Sequence, residues 1–374
     1  MERRIDDWLA LSFVDGLGSV SYCNLIRKFG NPGSIFKASF HDLEAVEGIR
    51  PHVIEGIKAF NRADRVEQEL ERMREHHVSL VAFVDDNYPA QLLHIYDPPP
   101  FLYVKGELQQ GDRLAIAVVG SRFASHYGKV TAEKISQDLA LEGITIVSGM
   151  ARGIDSSAHK AALAAGGRTI AVLGCGIDVN YPAENTKLKE EIASHGAVIS
   201  EFPLSTPPAS SHFPMRNRII SGLSLGVVVV EASHRSGSLI TARLALEQGR
   251  DVFAVPGSID SLRSRGTHRL IKDGAKLVED ARDILTELLP QMKDRSQSVG
   301  VHQESKELVS AEAQSILDVL EQGQVQIDRI ITQTGLPSSQ VSSTLLDLEF
   351  KGIIRQLPGK VFVKNRSIDI DQRS

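Results

Sequence analysis

The residues of this chain best suited to chemistry sit in four turns of small residues, each closing or following an apolar, β-branched run. Gly120-Ser121-Arg122 closes LAIAVVG, and Ser148 to Asp155 (SGMARGID) closes GITIVSG. Leu173-Gly174-Cys175-Gly176 closes RTIAVLG, and Arg235-Ser236-Gly237-Ser238 follows LGVVVVEA. The first, second and fourth lead into helix-like patterns. Such turns at a sheet edge offer backbone N–H groups and helix N-termini, which bind phosphate oxygens. The expected ligand is therefore phosphate-bearing, a polymer included.

Side chains at these turns add detail. Gly120 permits close approach, Ser121 donates a hydrogen bond, and Arg122 forks onto phosphate oxygens. The spacing matches neither GxGxxG nor GxxxxGK[ST], which disfavours dinucleotide binding and P-loop hydrolysis. Gly149 and Gly153 bracket the second turn. There Asp155 reads as a helix N-cap and His159 as a packed or solvated residue rather than its acid–base partner. In His212-Phe213-Pro214-Met215-Arg216-Asn217-Arg218, Phe213 offers a face for a base, and Arg216 and Arg218 hold successive phosphates. The plainer reading of that segment is a helix start with surface arginines and a buried Phe. Ser236, Gly237 and Ser238 open a helix that favours an anion. The sequence has no HExxH, CxxC or GxSxG, so no metal site, catalytic residue or cofactor is assigned.

These residues need a scaffold. Alternating strand and helix patterns over 78–290 predict an α/β core with a mostly parallel sheet. Strands are expected at 114–119, 144–147, 169–173, 197–200, 226–231 and 251–255, and helices at 126–142, 155–165, 184–194, 211–224 and 238–248. Residues 1–77 read as helical. Gly16-Leu17-Gly18 there resembles a helix-hairpin-helix turn, and Val46-Glu47-Gly48-Ile49 is a second copy with Arg50 in place of the second Gly. A small bundle with glycine C-caps explains the same residues. Residues 291–307 read as a linker. Residues 308–366 read as a winged-helix-like unit, with three helices and two strands around Pro358-Gly359.

The length of 374 residues predicts two or three domains. A charged fraction of 24% and a hydrophobic fraction of 42% describe a globular chain with a sizeable core. The net charge of −5 argues against broad nucleic-acid attraction but leaves room for a local basic groove. Cys23 and Cys175 read as reduced thiols. With no leader-like start and no apolar run near ~20 residues, the expectation is a cytoplasmic protein with no membrane partner.

Together the segments GSR (120–122), SGMARGID (148–155), LGCGIDVNYPAEN (173–185), SEFP (200–203), HFPMRNRIISGLS (212–224), EASHRSGSLITARLALEQGRDVFAVPG (231–257) and GTHRLIKDGAKLV (266–278) resemble the DNA-processing protein A (DprA, Smf) family. The resemblance implies an extended Rossmann core that binds single-stranded DNA with little sequence preference. It further implies protection of incoming strands in natural transformation and loading of the RecA recombinase. By position it places Arg122, Phe213, Arg216 and Arg218 on the family's DNA groove, with Arg168 and Lys187 as electropositive neighbours. It implies a homodimer through Thr267 to Ala275, with His268, Leu270 and Ile271 at the interface. The third C-terminal helix is basic only at Lys351, so protein contact, or a weak contact from Lys360 and Lys364, is expected there rather than base readout. The alternative is a nucleotide-processing enzyme of the lysine-decarboxylase-like phosphoribohydrolase type. Its PGGxGTxxE loop is poorly matched by RSGSLITARLALE. A nucleotide-sensing regulator with a winged-helix output is a third class.

Overall fold

The computed structural model describes residues 5–61, 63–288, 311–320, 325–337, 340–341, 344–345, 348, 354–357 and 361–364. They fall into two units, Met1–Met292 and Lys293–Ser374, each described here by itself.

The first unit is built on a nine-stranded sheet: β1 (Ser79–Ala82), β2 (Phe101–Gly106), β3 (Ala115–Val119), β4 (Thr145–Ser148), β5 (Thr169–Leu173), β6 (Ala197–Ser200), β7 (Gly226–Val229), β8 (Asp251–Ala254) and β9 (Lys276–Leu277). The order is β1-β2-β6-β5-β4-β3-β7-β8-β9. Strands β3 to β9 pair in parallel, while β2 joins β6 antiparallel and β1 joins β2 antiparallel. The central strands are buried along their whole length, because helices cover both faces. Helices His126–Leu141 and Ile154–Ala164 serve one side of the winding, and His212–Leu223 and Ser238–Glu247 the other. From β3 the chain winds outward through β4, β5 and β6, then returns to β7 on β3's other side. The order therefore reverses between β3 and β7, which places a crevice at the carboxyl ends of those two strands.

All six expected core strands form, and each expected helix lies within a few residues of its place. Helix Arg265–Lys272 and the two-residue strand β9 were not anticipated. The helices of residues 5–75 do not form a separately packed body. Trp8, Tyr22, Phe101, Tyr103, Ala171 and Leu173 belong to one apolar cluster, and Tyr22 meets Phe101 edge-on at 6.1 Å. The chain segment ending near residue 77 thus closes one face of the β1–β2–β6–β5 half of the sheet.

In the second unit, helix Ala311–Leu320 is followed by β10 (Val325–Gln326), helix Ile327–Thr334, β11 (Ile354–Leu357) and β12 (Val361–Lys364). The sheet order is β10-β12-β11. Ile316, Leu320, Ile330, Val341, Leu345 and Phe362 form its core. Beyond the two strands expected, Val325 and Gln326 pair with β12 as a third, and helix Ile327–Thr334 starts directly after them. The linker 291–307, Lys351, Pro358-Gly359 and Lys360 lie outside the described residues, as does the side chain of Lys364.

Candidate nucleic-acid interface

The crevice at the switch point has a volume of about 670 Å³ and is lined by residues from three turns and one helix. Gly120, Ser121 and Arg122 come from the end of β3, and Ala151 and Asp155 from beyond β4. Phe213, Arg216 and Asn217 come from helix His212–Leu223, and Ser236, Gly237 and Ser238 from the loop after β7. Nine of the residues expected to contact a phosphate-bearing ligand meet here. A second cavity of about 410 Å³ adjoins it and shares Arg122, Tyr181, Phe213 and Arg216. Both volumes suit nucleotide-sized ligands.

Close approach of two turns shapes the floor. Ile154 N–H donates to Ser121 O at 3.3 Å. Gly153, at φ +77°, lies so near Ser121 O that a methyl group would overlap it. Ser121 Oγ accepts the Phe123 N–H at 3.1 Å, which braces the turn while its own hydroxyl proton remains a donor. Arg122 is exposed and has no carboxylate within ion-pair distance among the described residues. Its guanidinium sits 5.1 Å from the centre of the Phe213 ring. That ring is half-buried and lies 5.7 Å from Tyr181, inclined by 33°. An arginine over one aromatic ring with a second beside it is a platform for a planar, negatively charged ligand.

The other basic residues occupy different places. Arg216 is 4% exposed; it lines both cavities from beneath, and its Nη1 donates to Val172 O at 2.8 Å. It lies over Gly149, where a methyl group would overlap the guanidinium, so Gly149 makes room for Arg216 rather than for a phosphate. Burial pushes the Arg216 pKa down to about 10, which leaves it cationic at neutral pH. Its Nε has no hydrogen-bond partner.

Arg218 does not reach the crevice. Its side chain is 7% exposed and pairs with Asp97 at 2.8 Å and Glu201 at 2.5 Å. Residues two apart on a helix point roughly 200° apart, so Arg216 and Arg218 cannot serve one groove. Arg168 stands before β5, at the amino-end rim of the sheet, and pairs with Asp112 at 2.8 Å. Lys187 is exposed on the first turn of helix Thr186–His195 and lines neither cavity. Asn217 is buried, and its Nδ2 reaches Gly237 O at 3.4 Å, tying the helix to the Ser236–Ser238 turn. Ser236 and Ser238 hydroxyls lie 2.7 Å apart.

Asp155 lies in the first turn of helix Ile154–Ala164, whose N-cap is Gly153 rather than Asp155. Its carboxylate accepts the Ala151 N–H at 3.3 Å. Burial pushes its pKa up to about 6 against the pull of Arg216. His159, one turn on, is fully buried with Nδ1 2.7 Å from Thr169 Oγ1, and burial pushes its pKa down to about 3. It is a packed neutral residue. Tyr181, within the YPAEN stretch after the Gly174 turn, was not singled out in the sequence. An isolated Tyr in a loop carries no spacing signal.

A model of the DNA recombination-mediator protein A family matches residues 79–289, and one of the DprA winged helix domain matches 302–360. The chain belongs to the DprA/Smf family. The DprA match begins at the first residue of β1, so the two antiparallel strands are part of the family's core. A Protein Smf from Synechocystis sp. is 36% identical over 94% of this chain and 96% of its own length. The X-ray structure of DNA processing protein A (DprA) from Streptococcus pneumoniae is 40% identical, with a TM-score of 0.68 over 77% of this chain and 99% of that one. A structure of DNA processing protein A from Helicobacter pylori, described as having a unique single-stranded DNA binding mode, is 32% identical. It has a TM-score of 0.52 over 57% of this chain and 96% of that one.

Proposed function

We propose that this DprA/Smf chain, a DNA recombination mediator by family, binds single-stranded DNA in the switch-point crevice and acts there without catalysing a reaction. The observation that carries the reading is the Arg122 guanidinium stacked over Phe213 beside Tyr181, at a rim of Gly and Ser turns. Arg122 and buried Arg216 supply the positive charge; Phe213 and Tyr181 supply the faces for bases. Every base has a π-face, so such a platform is tolerant of sequence. The protein protects incoming strands during natural transformation and helps load RecA onto them. It works in the cytoplasm; among the described residues no helix is long and apolar enough to cross a membrane.

Replacing Phe213 with Ala tests the stacking role. The expected loss of oligonucleotide affinity is about 1–3 kcal/mol. Thermal melts of the same variant are expected to shift little, because the ring is only half-buried. A large drop in melting temperature with unchanged affinity of the folded fraction removes Phe213 from the site.

The homodimer is placed on helix Arg265–Lys272 and the adjoining sheet edge. His268 Nε2 lies 3.0 Å from Gly257 O, and Leu270 packs against the sheet's apolar cluster. Ile271 is partly exposed, and Leu277 on edge strand β9 is 44% exposed. Ile271→Glu puts an unpaired charge into such an interface. Sedimentation of this variant is expected to show a folded monomer; an unchanged dimer moves the interface elsewhere.

A further inference from the structure

We propose that Asp155 is a proton-linked gate on the crevice: a strand phosphate entering beside Arg122 and Arg216 draws a solvent proton onto this carboxylate. The inference rests on the single-strand reading above and adds a regulator to that site. Asp155 is 6% exposed and lines the crevice with both arginines. The turn after β4 donates the Ala151 N–H to it at 3.3 Å, and the Gly149 backbone also hydrogen-bonds to it. The carboxylate thus occupies the Ala151 N–H, a crevice donor that an incoming phosphate would otherwise use, and it competes for the same cations. Two anions in one poorly solvated floor repel each other, so phosphate binding favours the protonated acid.

The charged groups facing Asp155 are few. Arg216 comes from helix His212–Leu223 and Arg122 from the turn after β3. On its own helix, His159 stays neutral through burial. Glu133, on the packed helix His126–Leu141, is engaged by Ser157 at 3.0 Å. The near Arg152 is paired with Glu184. Burial already raises the Asp155 pKa to about 6, so a further rise on binding brings the proton exchange into the neutral range. The sign follows: the complex holds more protons than the free protein, so affinity rises as pH falls from 8 toward 6.

The test uses the full chain and an oligothymidylate of about 20 nucleotides, whose phosphodiesters and bases do not titrate in this range. Calorimetry at pH 7 in two buffers of different ionisation enthalpy is expected to show proton uptake approaching one per site. The dissociation constant is expected to weaken by up to about tenfold per pH unit above 6. Asp155→Asn is expected to flatten that profile and to bind more tightly than wild type at pH 8, which a merely structural Asp155 would not produce. His212→Gln controls for the imidazole that precedes Phe213 on the same helix and is expected to keep the profile. If Asp155→Asn does not fold, proton uptake by the wild type and by His212→Gln decides. Binding with buffer-independent enthalpy and a flat profile, or a profile abolished by His212→Gln, overturns the gate alone. No oligonucleotide binding at any pH overturns the single-strand reading and the gate with it.

Discussion

Replacing Arg218 with Met lowers folding stability by about 3–5 kcal/mol and leaves the single-strand affinity of the folded molecules unchanged. Arg218 holds Asp97 at 2.8 Å and the nearly buried Glu201 at 2.5 Å. Removing it leaves the Glu201 carboxylate buried without a counter-charge, which costs more than the pair itself contributes. Burial already holds the Glu201 pKa above the usual carboxylate range, opposed by Arg218. Without Arg218 it rises further. A carboxylate whose folded pKa is raised favours the folded state at low pH and loses that contribution as pH rises through the folded value. The variant is therefore expected to recover part of its lost stability on acidification from pH 7 to 5. Thermal melts at both pH values check this, and oligonucleotide titration of the folded fraction checks the binding. A loss of affinity at unchanged melting temperature returns Arg218 to the DNA site.

Arg122→Glu has the opposite signature. Arg122 is exposed, and its neighbour above the floor is the Phe213 ring, so reversal removes little packing. Surface changes of this kind fall within about 0.5 kcal/mol of wild-type stability. Binding loses a phosphate contact and gains a repulsive charge in the crevice, expected to cost about 2–3 kcal/mol, or roughly 30- to 150-fold in dissociation constant. Arg218→Met and Arg122→Glu thus separate two arginines that the sequence alone places in one role.

The contrast shows where the sequence was legible. Apolar β-branched runs ending in Gly or Ser located the strands and the rim, because strand alternation with helices leaves few topologies. The site residues that met in the crevice follow strand ends or lie in the first two turns of helices. Arg218 failed through helical phase, since Arg216 two residues earlier takes the inward face. Arg168 failed through strand direction, since the residue before a parallel strand lies at the rim away from the site. Gly149 was read as bracketing the second turn, and the group that approaches it is Arg216. β9 has two residues, too few for any alternation, and helix Arg265–Lys272 is only eight residues long. The Trp8–Tyr22–Phe101 contacts that join the first helices to the sheet are long-range and leave no periodic trace.

The most direct test of the account is a salt-titrated anisotropy measurement with a labelled single strand, its blunt duplex, and the full-length wild type and Arg122→Glu. The account predicts preference for the single strand. It also predicts a log–log salt slope of roughly −0.7 per phosphate neutralised, with a shallower slope and the stated loss of affinity in Arg122→Glu. Equal or tighter binding of the duplex, or a single-strand affinity that neither salt nor Arg122→Glu changes, contradicts it.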